Sequence, residues 1–352
     1  MIVRDFNFFP YNLELKKPFV NSKFTIHKRK GFIVRIIDDN GYMVYGDVAP
    51  LPGFSYETYD KCEIELQRLY YSFLDKAANK TEFNLINEMS AFVDVPSLRF
   101  GFEQAILSLL IKQKEVKNLL PGKKEIKING IISLRDEKET LKSLDELLSK
   151  NFSTIKVKVT GEKFSEQLKL INKITDRIDS SVKIRLDPNG SWNYEETEIA
   201  VMSMDKEKIE LIEQPVDNIN EIVMLSDFSP IPIAVDEAIK TINDAADLIK
   251  RSNINTFVLK PALLGGIIGI INLIKSAAKL GKKIIISSAF ESVIGRSALS
   301  LLAALTEGDY AHGLNTAELF KTDLASEPYR IKNGKIYFDY FFYPPEFKDI
   351  KL

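Results

Sequence analysis

Between residues 126 and 314, short runs rich in β-branched residues alternate with longer amphipathic stretches, and this alternation is the strongest constraint on the fold. The strand candidates are 126–132, 154–159, 182–186, 209–212, 231–235, 256–259, 283–287 and a weaker one at 310–314. Eight strands with intervening helices are typical of a closed parallel barrel. The pattern therefore predicts an α/β fold with a modified TIM barrel, written (β/α)7β.

The residues before this alternation show a different order of strand and helix patterns. Strand-like segments at 2–9, 31–38 and 42–49 precede a helical stretch from 56 to about 79, which predicts a small α+β domain over residues 1–98. An amphipathic helix over 101–116 opens the predicted barrel region, 99–324. The segment 325–352 contains Asn333-Gly334 between alternating residues, and we expect a hairpin that returns to the first domain.

Composition restricts the partners and the compartment. The 48 basic and 49 acidic residues give a net charge of −1, so no overall field favours nucleic acid or an anionic membrane, and the basic run 27–30 is expected to be a solvated loop. The longest apolar runs are too short to cross a bilayer, and the start has no secretory pattern. The single cysteine, Cys62, cannot form an internal disulfide, so a cytoplasmic location is expected.

Charged residues recur at the ends of successive predicted strands. Lys158 is followed by Asp187 after 29 residues, Glu213 after 26, Asp236 after 23 and Lys260 after 24, which is about one strand-helix unit each time. Active sites of such barrels lie at the carboxyl ends of the strands. The five side chains are therefore predicted to face one another across a single pocket.

Three of these residues are carboxylates that follow apolar strands and precede turn residues. Each of them alone is better explained as a cap of the following helix. Together, Asp187, Glu213 and Asp236 supply the oxygen ligands of a hard divalent cation, Mg²⁺ or Mn²⁺. Glu237 follows Asp236 directly and is an alternative third ligand, although strand alternation is expected to turn it to the opposite face.

The lysines suggest the reaction. Lys156 and Lys158 are two positions apart on one strand, so their side chains share a face. A nearby cation and a neighbouring ammonium both lower the pKa of a lysine and allow it to act as a base. The matching chemistry is removal of a proton next to a carboxylate, so the predicted partner is a small carboxylate substrate.

Several segments resemble one known family. The Lys156-x-Lys158 pair, together with Lys260, resembles the muconate-lactonizing-like branch of the enolase superfamily over nearly the whole chain. Further similarity to the o-succinylbenzoate synthases lies in the segments 49–58, 260–265, 287–295 and 312–316. The resemblance implies a capping N-terminal domain on the barrel, and it implies a hydro-lyase that converts 2-succinyl-6-hydroxy-2,4-cyclohexadiene-1-carboxylate to 2-succinylbenzoate for menaquinone synthesis.

The resemblance also implies a role for each matching residue. Asp187, Glu213 and Asp236 would bind Mg²⁺, Lys158 would be the acid and base, and Lys260 would stabilise the enediolate from the opposite side. The substrate-binding residues implied are Lys156, Asn189, Ser287 and Gly313. A turn-forming role is as plausible for Asn189, which precedes a glycine.

Other activities remain open at this stage. Dipeptide epimerases and N-acylamino acid racemases of the same superfamily use the same two lysines; the epimerases usually carry Asp-x-Asp on the eighth strand, where this chain has Gly313-Leu314-Asn315. A Schiff-base aldolase would use Lys158 or Lys260 as nucleophile but does not explain three carboxylates. A barrel that only binds ligands is the non-enzymatic alternative. Specificity is expected to depend on capping loops near 19–30 and 50–56.

Overall fold

The computed structural model describes residues 2–20, 25–79, 95–114, 122–338, 344–347 and 349–352. Parts of several predicted segments therefore lie outside the described residues. They include residues 80–94 of the predicted first domain, 21–24 of the predicted capping loop, 115–116 of the predicted helix, and 339–343 and 348 of the predicted C-terminal segment.

The N-terminal part is an antiparallel sheet covered by two helices. Its strands β1 (Val3–Val20), β2 (Thr25–Asp38) and β3 (Met43–Val48) pair in chain order, and the helices are α1 (Tyr59–Ala78) and α2 (Pro96–Lys112). Thr58 caps α1 by accepting a hydrogen bond from the amide of Lys61. The first strand is much longer than predicted, because its second half pairs with the basic run 27–30.

Helix α2 lies between the two halves of the molecule. Phe102 and Leu109 pack in the core of the N-terminal sheet, whereas Phe100 and Leu107 pack in the core of the barrel. The helix approaches β3 so closely that a side chain on Gly46 would meet the carbonyl oxygen of Gly101. Because one helix serves both cores, the two halves are joined by packing as well as by the chain.

The predicted barrel is confirmed. Strand β4 (Glu125–Lys127) precedes the barrel and lies outside its sheet. The barrel strands are β5 (Gly130–Ser133), β6 (Thr154–Lys158), β7 (Lys183–Asp187), β8 (Ile209–Glu213), β9 (Ile233–Val235), β10 (Thr256–Leu259) and β11 (Lys283–Ile286). Its helices are α3 (Glu137–Ser149), α4 (Phe164–Arg177), α5 (Tyr194–Ser203), α6 (Ile219–Phe228), α7 (Ile242–Arg251), α8 (Pro261–Leu264), α9 (Ile267–Lys279) and α10 (Val293–Leu305).

Strands β5 to β11 form one parallel sheet in chain order. The weak eighth strand candidate closes it, because His312 bridges to Ile128 on one side and Gly313 bridges to Ser287 on the other. Side chains that point into the barrel below the mouth form a small apolar cluster of Leu211, Ala234, Val258 and Ile285, with Tyr310 packed against it. The residue two positions after each of these four points to the same side, which is where the predicted site begins.

The predicted C-terminal hairpin is present, but its predicted partner is wrong. Strands β12 (Arg330–Lys332) and β13 (Lys335–Tyr337) pair around Asn333-Gly334, and β13 then pairs with β4, the strand that leads into the barrel. The hairpin covers an edge that β4 would otherwise leave unpaired. The later residues Phe347 and Ile350 do pack beside N-terminal residues, in a cluster that includes Tyr45.

Two observations bear on the predicted compartment. In the described part of the chain, no helix combines the length and the apolar character that a membrane span requires. Cys62 is buried on α1 beside Ser97, and burial raises the pKa of its thiol to about 12. The cytoplasmic location stays a prediction.

Candidate active site at the barrel mouth

All nine predicted site residues meet at one end of the barrel. Seven of them line a single pocket below the N-terminal sheet, namely Lys156, Lys158, Asn189, Asp236, Lys260, Ser287 and Gly313. The other two, Asp187 and Glu213, lie just beneath and are almost completely buried. The convergence follows from the parallel register, because each side chain stands at the carboxyl end of its strand.

Lys156 joins two of the carboxylates. Its Nζ lies 2.7 Å from Asp187 Oδ2 and 2.7 Å from Glu213 Oε1. All three side chains are at most 10% exposed. Burial alone would lower the pKa of Lys156, but the surrounding carboxylates, of which Asp187 acts most strongly, hold it above its ordinary value. This lysine is therefore a fixed cation in the floor of the pocket.

Lys158 is the more accessible lysine of the pair and sits in a hydrogen-bonded chain. Its Nζ lies 2.5 Å from Asp187 Oδ2 and donates to Asn189 Oδ1 at 2.9 Å, and its side chain is 22% exposed. Asn189 Nδ2 in turn donates to Glu237 Oε1 at 2.7 Å. Asn189 has a φ of 51°, a left-handed conformation that asparagine tolerates and that directs its amide into the pocket.

Lys260 stands across the pocket from Lys158. Strands β6 and β10 are four positions apart in the eight-membered ring, so their ends face each other. The Lys260 ammonium pairs with the Asp236 carboxylate and lies 3.9 Å from Glu237 Oε1. The prediction that Glu237 turns to the opposite face is wrong, because the chain turns directly after β9, with Ile239 N donating to Asp236 O, so strand alternation ends at Asp236.

The cluster contains more carboxylates than amines. Three lysines face Asp187, Glu213, Asp236 and Glu237, and Glu237 Oε2 is buried without a hydrogen-bond partner. Burial acts to raise the pKa of Asp187, but the two ammonium groups beside it hold that pKa well below the usual range. Burial, followed by the charge of Glu237, raises the pKa of Asp236 well above the usual range, although Lys260 opposes the shift. Negative charge is therefore in excess on the β9 side.

The donor set fits a divalent cation. Among the described residues, no three His, Cys, Asp or Glu side chains converge on one point, since the amine of Lys156 lies between Asp187 and Glu213. The oxygens nevertheless belong to carboxylates of three successive strand ends, which is the ligand type that Mg²⁺ and Mn²⁺ prefer. A cation there would also relieve the crowding that raises the pKa of Asp236.

The rest of the pocket wall is largely uncharged. Phe19 and Phe290 contact each other edge to face, with ring centroids 4.7 Å apart. The ring centroid of Phe54 lies 6.0 Å from Lys260 Nζ. Ser287 and Gly313 are brought together, because a side chain on Gly313 would meet Ser287 Oγ. Both predicted residues thus lie side by side at the end of the pocket wall.

Sequence reasoning missed a buried arginine beside the pocket. The run 27–30 is predicted to be a solvated loop, but it lies on β2. Lys28 and Lys30 are exposed as predicted, whereas Arg29 is 1% exposed. The arginine donates to backbone carbonyls of both halves of the molecule. Alternation along β2 was the available signal, because Arg29 shares a face with Gly31, which packs against Tyr11.

Comparison with known proteins gives two family matches. The family described as enolase C-terminal domain-like matches residues 139–339, which is more than half of the chain. The family described as MenC, N-terminal domain, matches residues 3–109.

Two curated relatives show similar sequence identity but different activities. The o-succinylbenzoate synthase of Aliivibrio fischeri (strain ATCC 700601 / ES114) is 28% identical over 319 residues, covering 90% of this chain and 91% of that protein. The L-Ala-D/L-Glu epimerase of Francisella tularensis subsp. novicida (strain U112) is 27% identical over 325 residues, covering 90% of each.

Solved structures confirm the architecture. The substrate-liganded L-Ala-D/L-Glu epimerase from Bacillus subtilis has a TM-score of 0.84 at 22% identity, covering 96% of both chains. The dipeptide epimerase from Methylococcus capsulatus, complexed with Mg and the dipeptide L-Arg-D-Lys, has a TM-score of 0.81 at 20% identity, covering 96% of this chain and 97% of that one. At these identities the likeness establishes the fold.

Proposed function

The chain belongs to the family of enolase C-terminal domain-like proteins, and from this premise we propose that it is a metal-dependent o-succinylbenzoate synthase. As a member of the enolase superfamily it is an enzyme, and the proposal concerns which reaction it catalyses. We propose the dehydration of 2-succinyl-6-hydroxy-2,4-cyclohexadiene-1-carboxylate to 2-succinylbenzoate, a step towards menaquinone.

One observation carries the proposal. Lys158 and Lys260 face each other across the mouth, and the carboxylates of Asp187, Glu213 and Asp236 lie between and beneath them. A planar substrate carboxylate bound there has an amine on each side of its α-carbon. That arrangement suits removal of an α-proton, because the negative charge that develops is surrounded by cations.

Lys158 is the proposed acid and base. In its neutral form Nζ takes the proton from the carbon next to the carboxylate, and the electron pair of that C–H bond forms a ring double bond. The C–O bond on the neighbouring carbon breaks, and the leaving hydroxide takes the proton from Lys158 to become water. Asn189 accepts a hydrogen bond from Nζ and keeps the amine pointing into the pocket.

The other charged residues are proposed to bind the substrate carboxylate and to stabilise its negative charge. Lys260 contributes a cation on the face opposite Lys158, and Lys156 contributes one from below. A divalent cation held by Asp187, Glu213 and Asp236 would supply positive charge to the carboxylate oxygens during proton removal. The relative from Methylococcus capsulatus, which is described as complexed with Mg, supports the choice of metal.

The uncharged part of the pocket wall supports a substrate without a cationic group. The described lining residues include three phenylalanines and the neutral polar residues Ser287, Asn315 and Thr316. The acid Glu318 also lines the pocket, but both its oxygens accept from Lys150. A ring and a succinyl chain match this wall, with Ser287 and Gly313 proposed to hold the succinyl carboxylate.

Epimerisation of a dipeptide or an N-acyl amino acid is the second candidate. It is favoured by the two amines on opposite sides of the pocket, since such reactions remove a proton on one face and return it on the other. The similar identity to the Francisella epimerase points the same way. The eighth strand opposes it for dipeptides, because Gly313-Leu314-Asn315 offers no carboxylate to a substrate ammonium group.

The two reactions are separated by one pair of assays on the purified protein with Mg²⁺. The first follows loss of the diene absorbance of the cyclohexadiene substrate, with and without EDTA. The second follows exchange of the α-proton in ²H₂O for dipeptides and N-succinyl amino acids. Metal-dependent loss of the diene supports the synthase, whereas exchange without dehydration overturns it in favour of an epimerase or racemase.

Variants of the two lysines test the roles. Lys158→Ala should abolish dehydration, and Lys260→Ala should slow it while leaving metal binding intact. Lys163→Ala is the matched control, because Lys163 is 74% exposed and outside the pocket. Borohydride that trapped substrate on Lys158 or Lys260 would instead indicate Schiff-base chemistry.

A further inference from the structure

A buried arginine spans the contact between the N-terminal sheet and the barrel, close to the pocket. Arg29 is on β2, and its guanidinium group donates to Ala49 O and Pro50 O in the loop after β3. Its Nε donates to Phe290 O, at 3.2 Å, in the loop between β11 and α10. One planar group thus bonds the backbone of both halves at once.

Both loops that Arg29 bonds form part of the pocket wall. The loop after β3 contributes Leu51 and Phe54, and the loop after β11 contributes Ser287, Ser288 and Phe290. Arg29 itself does not line the pocket, and the proposed catalytic lysines make no described hydrogen bond to it. Its position therefore affects the shape of the wall and not the reacting groups.

The bonded conformation of the barrel loop needs external support. Phe290 has a φ of 63°, which is unfavourable for a bulky aromatic residue. Its carbonyl accepts from Arg29, its amide donates to Ser288 Oγ at 3.0 Å, and its ring rests on Phe19. Such strain persists only when neighbouring contacts hold it.

Two buried carboxylates lie at the same contact. Tyr11, which packs against Gly31 on the strand of Arg29, donates its hydroxyl to Asp47 Oδ1 at 2.9 Å, and Glu291 belongs to the barrel loop that Arg29 bonds. Asp47 also joins the two halves, since Oδ2 accepts from the amide and the hydroxyl of Ser292, both at 2.8 Å. A lysine could not replace the arginine here, because it lacks the planar fork that reaches carbonyl oxygens of both loops.

We propose that Arg29 is a positioning residue for substrate binding, which sets the pocket wall by fastening the loop 49–54 of the N-terminal sheet to the loop 287–291 of the barrel. The kinetic part of this inference rests on the proposed function; the structural part does not. Without the guanidinium group, the carbonyl oxygens of Ala49, Pro50 and Phe290 lose their donor and the two loops separate. The substrate must then order the two loops when it binds. This weakens substrate binding, whereas the amines of Lys158 and Lys260 keep their positions.

Hydrogen exchange tests the structural part on the full chain. In Arg29→Lys, amides in 51–55 and 288–292 should exchange at least about tenfold faster than in the wild type, while amides of β6 to β8 keep their rates. Lys28→Met is the matched control, because Lys28 is the exposed neighbour on the same strand and should change neither segment. Unchanged exchange in both loops of a folded Arg29→Lys variant would overturn the inference.

Steady-state kinetics test the consequence. With Mg²⁺ and the cyclohexadiene substrate, Arg29→Lys should raise KM by about tenfold and change kcat by less than about threefold. Guanidinium ion added to Arg29→Ala should bring KM back towards the wild-type value, which a general loss of stability would not permit. A fall in kcat at unchanged KM contradicts a positioning role in binding.

The two failures can be told apart. If the wild type does not turn over the cyclohexadiene, the proposed reaction is wrong, and the exchange experiment still decides whether Arg29 fastens the loops. If the wild type turns over and both Arg29 variants behave like Lys28→Met, the positioning role is wrong and the reaction stands.

Discussion

Two charged clusters lie one layer apart inside the same barrel, and they are built in opposite ways. Beneath the mouth, Arg185 is 1% exposed and bonds both oxygens of Glu210, at 2.8 and 3.1 Å, as well as the carbonyl of Ala311. His312 accepts from the amide of Ile286, and burial, followed by the charge of Arg185, lowers its pKa well below the usual range. In this lower cluster the charge of Arg185 is therefore balanced by that of Glu210.

In the cluster at the barrel mouth, the positive and negative side chains do not balance. Its three lysines face four carboxylates, one carboxylate oxygen of Glu237 has no partner, and Lys158 and Lys260 reach the pocket surface. A protein gains no stability from such an excess of buried charge. The difference therefore indicates that the lower cluster stabilises the barrel, whereas the upper cluster is arranged for a ligand that brings positive charge and for a substrate.

The largest predicted effect separates activity from stability at the mouth. Lys158→Ala should lower kcat for dehydration by about 1000-fold or more, because the proton acceptor is lost. The melting temperature should change little, since Asp187 keeps Lys156 as its partner. Stopped-flow absorbance and calorimetry measure the two quantities, with Lys163→Ala as control. If Lys158→Ala retains turnover, Lys158 is not the acid and base of the reaction.

The opposite result is expected one layer below. Arg185→Met should lower the free energy of unfolding by about 3 kcal/mol, because it leaves Glu210 and a buried carbonyl without their donor. Turnover of the folded variant should stay close to that of the wild type.

A surface pair of the same kind is the control. Arg177 bonds Asp145 in the same two-pronged manner, but both side chains are about half exposed, so Arg177→Met should leave the free energy of unfolding close to that of the wild type. Urea denaturation of both variants gives the comparison. Equal losses would mean that burial of the Arg185 pair contributes nothing.

Asp47, another buried carboxylate, tests whether hydrogen bonds alone can compensate for burial of a charge. Asp47 accepts from Tyr11, Ser292 N and Ser292 Oγ, and yet burial raises its pKa from 3.8 to about 6. The folded protein holds this proton more tightly than the unfolded chain. The resulting stability is therefore present below pH 3.8 and is lost as the pH rises to about 6, in total about 3 kcal/mol.

Asp47→Asn isolates this contribution. Relative to the variant, the wild type should lose stability between pH 4 and pH 6, and the difference in unfolding free energy should be flat above pH 7. Denaturation across that pH range measures it, with the exposed Asp39→Asn as control. A difference that does not depend on pH would show that hydrogen bonds fully compensate the buried charge.

The smallest predicted effect concerns the metal. At a Mg²⁺ concentration 100 times its Kd, the wild type should gain about 2.7 kcal/mol of stability. Glu213→Gln should lose most of that gain, because a neutral amide replaces one of the three proposed ligands, while the exposed Glu207→Gln keeps it. Thermal unfolding with and without Mg²⁺ gives both values. An equal gain in Glu213→Gln would exclude Glu213 as a ligand.

Most of the site could be predicted from the sequence because it lies on regular strands. Period-two alternation places Glu213 two residues after the interior Leu211, and Asp236 two residues after Ala234, so the facing of each acid follows from its strand. Parallel pairing then brings the strand ends together. The predictions that failed concern residues just beyond or far from that regular frame.

Three features were decided only by the tertiary structure. Glu237 turns into the pocket because β9 stops one residue before Asp236, and a strand's last residue cannot be read from local pattern. The C-terminal hairpin joins β4 because of an open edge more than 200 residues away in the chain. Arg29 is buried because a distant loop, around Phe290, supplies its acceptor.

The sequence by itself thus determined the barrel, the face on which each strand-end charge lies, and the chemistry that this set of charges permits. These depend on short-range periodicity, which the chain carries locally. The tertiary structure alone decided which charges are matched, which loops are fastened and where the pocket wall stands. Those depend on contacts between residues far apart in the chain, whose partners no local pattern specifies.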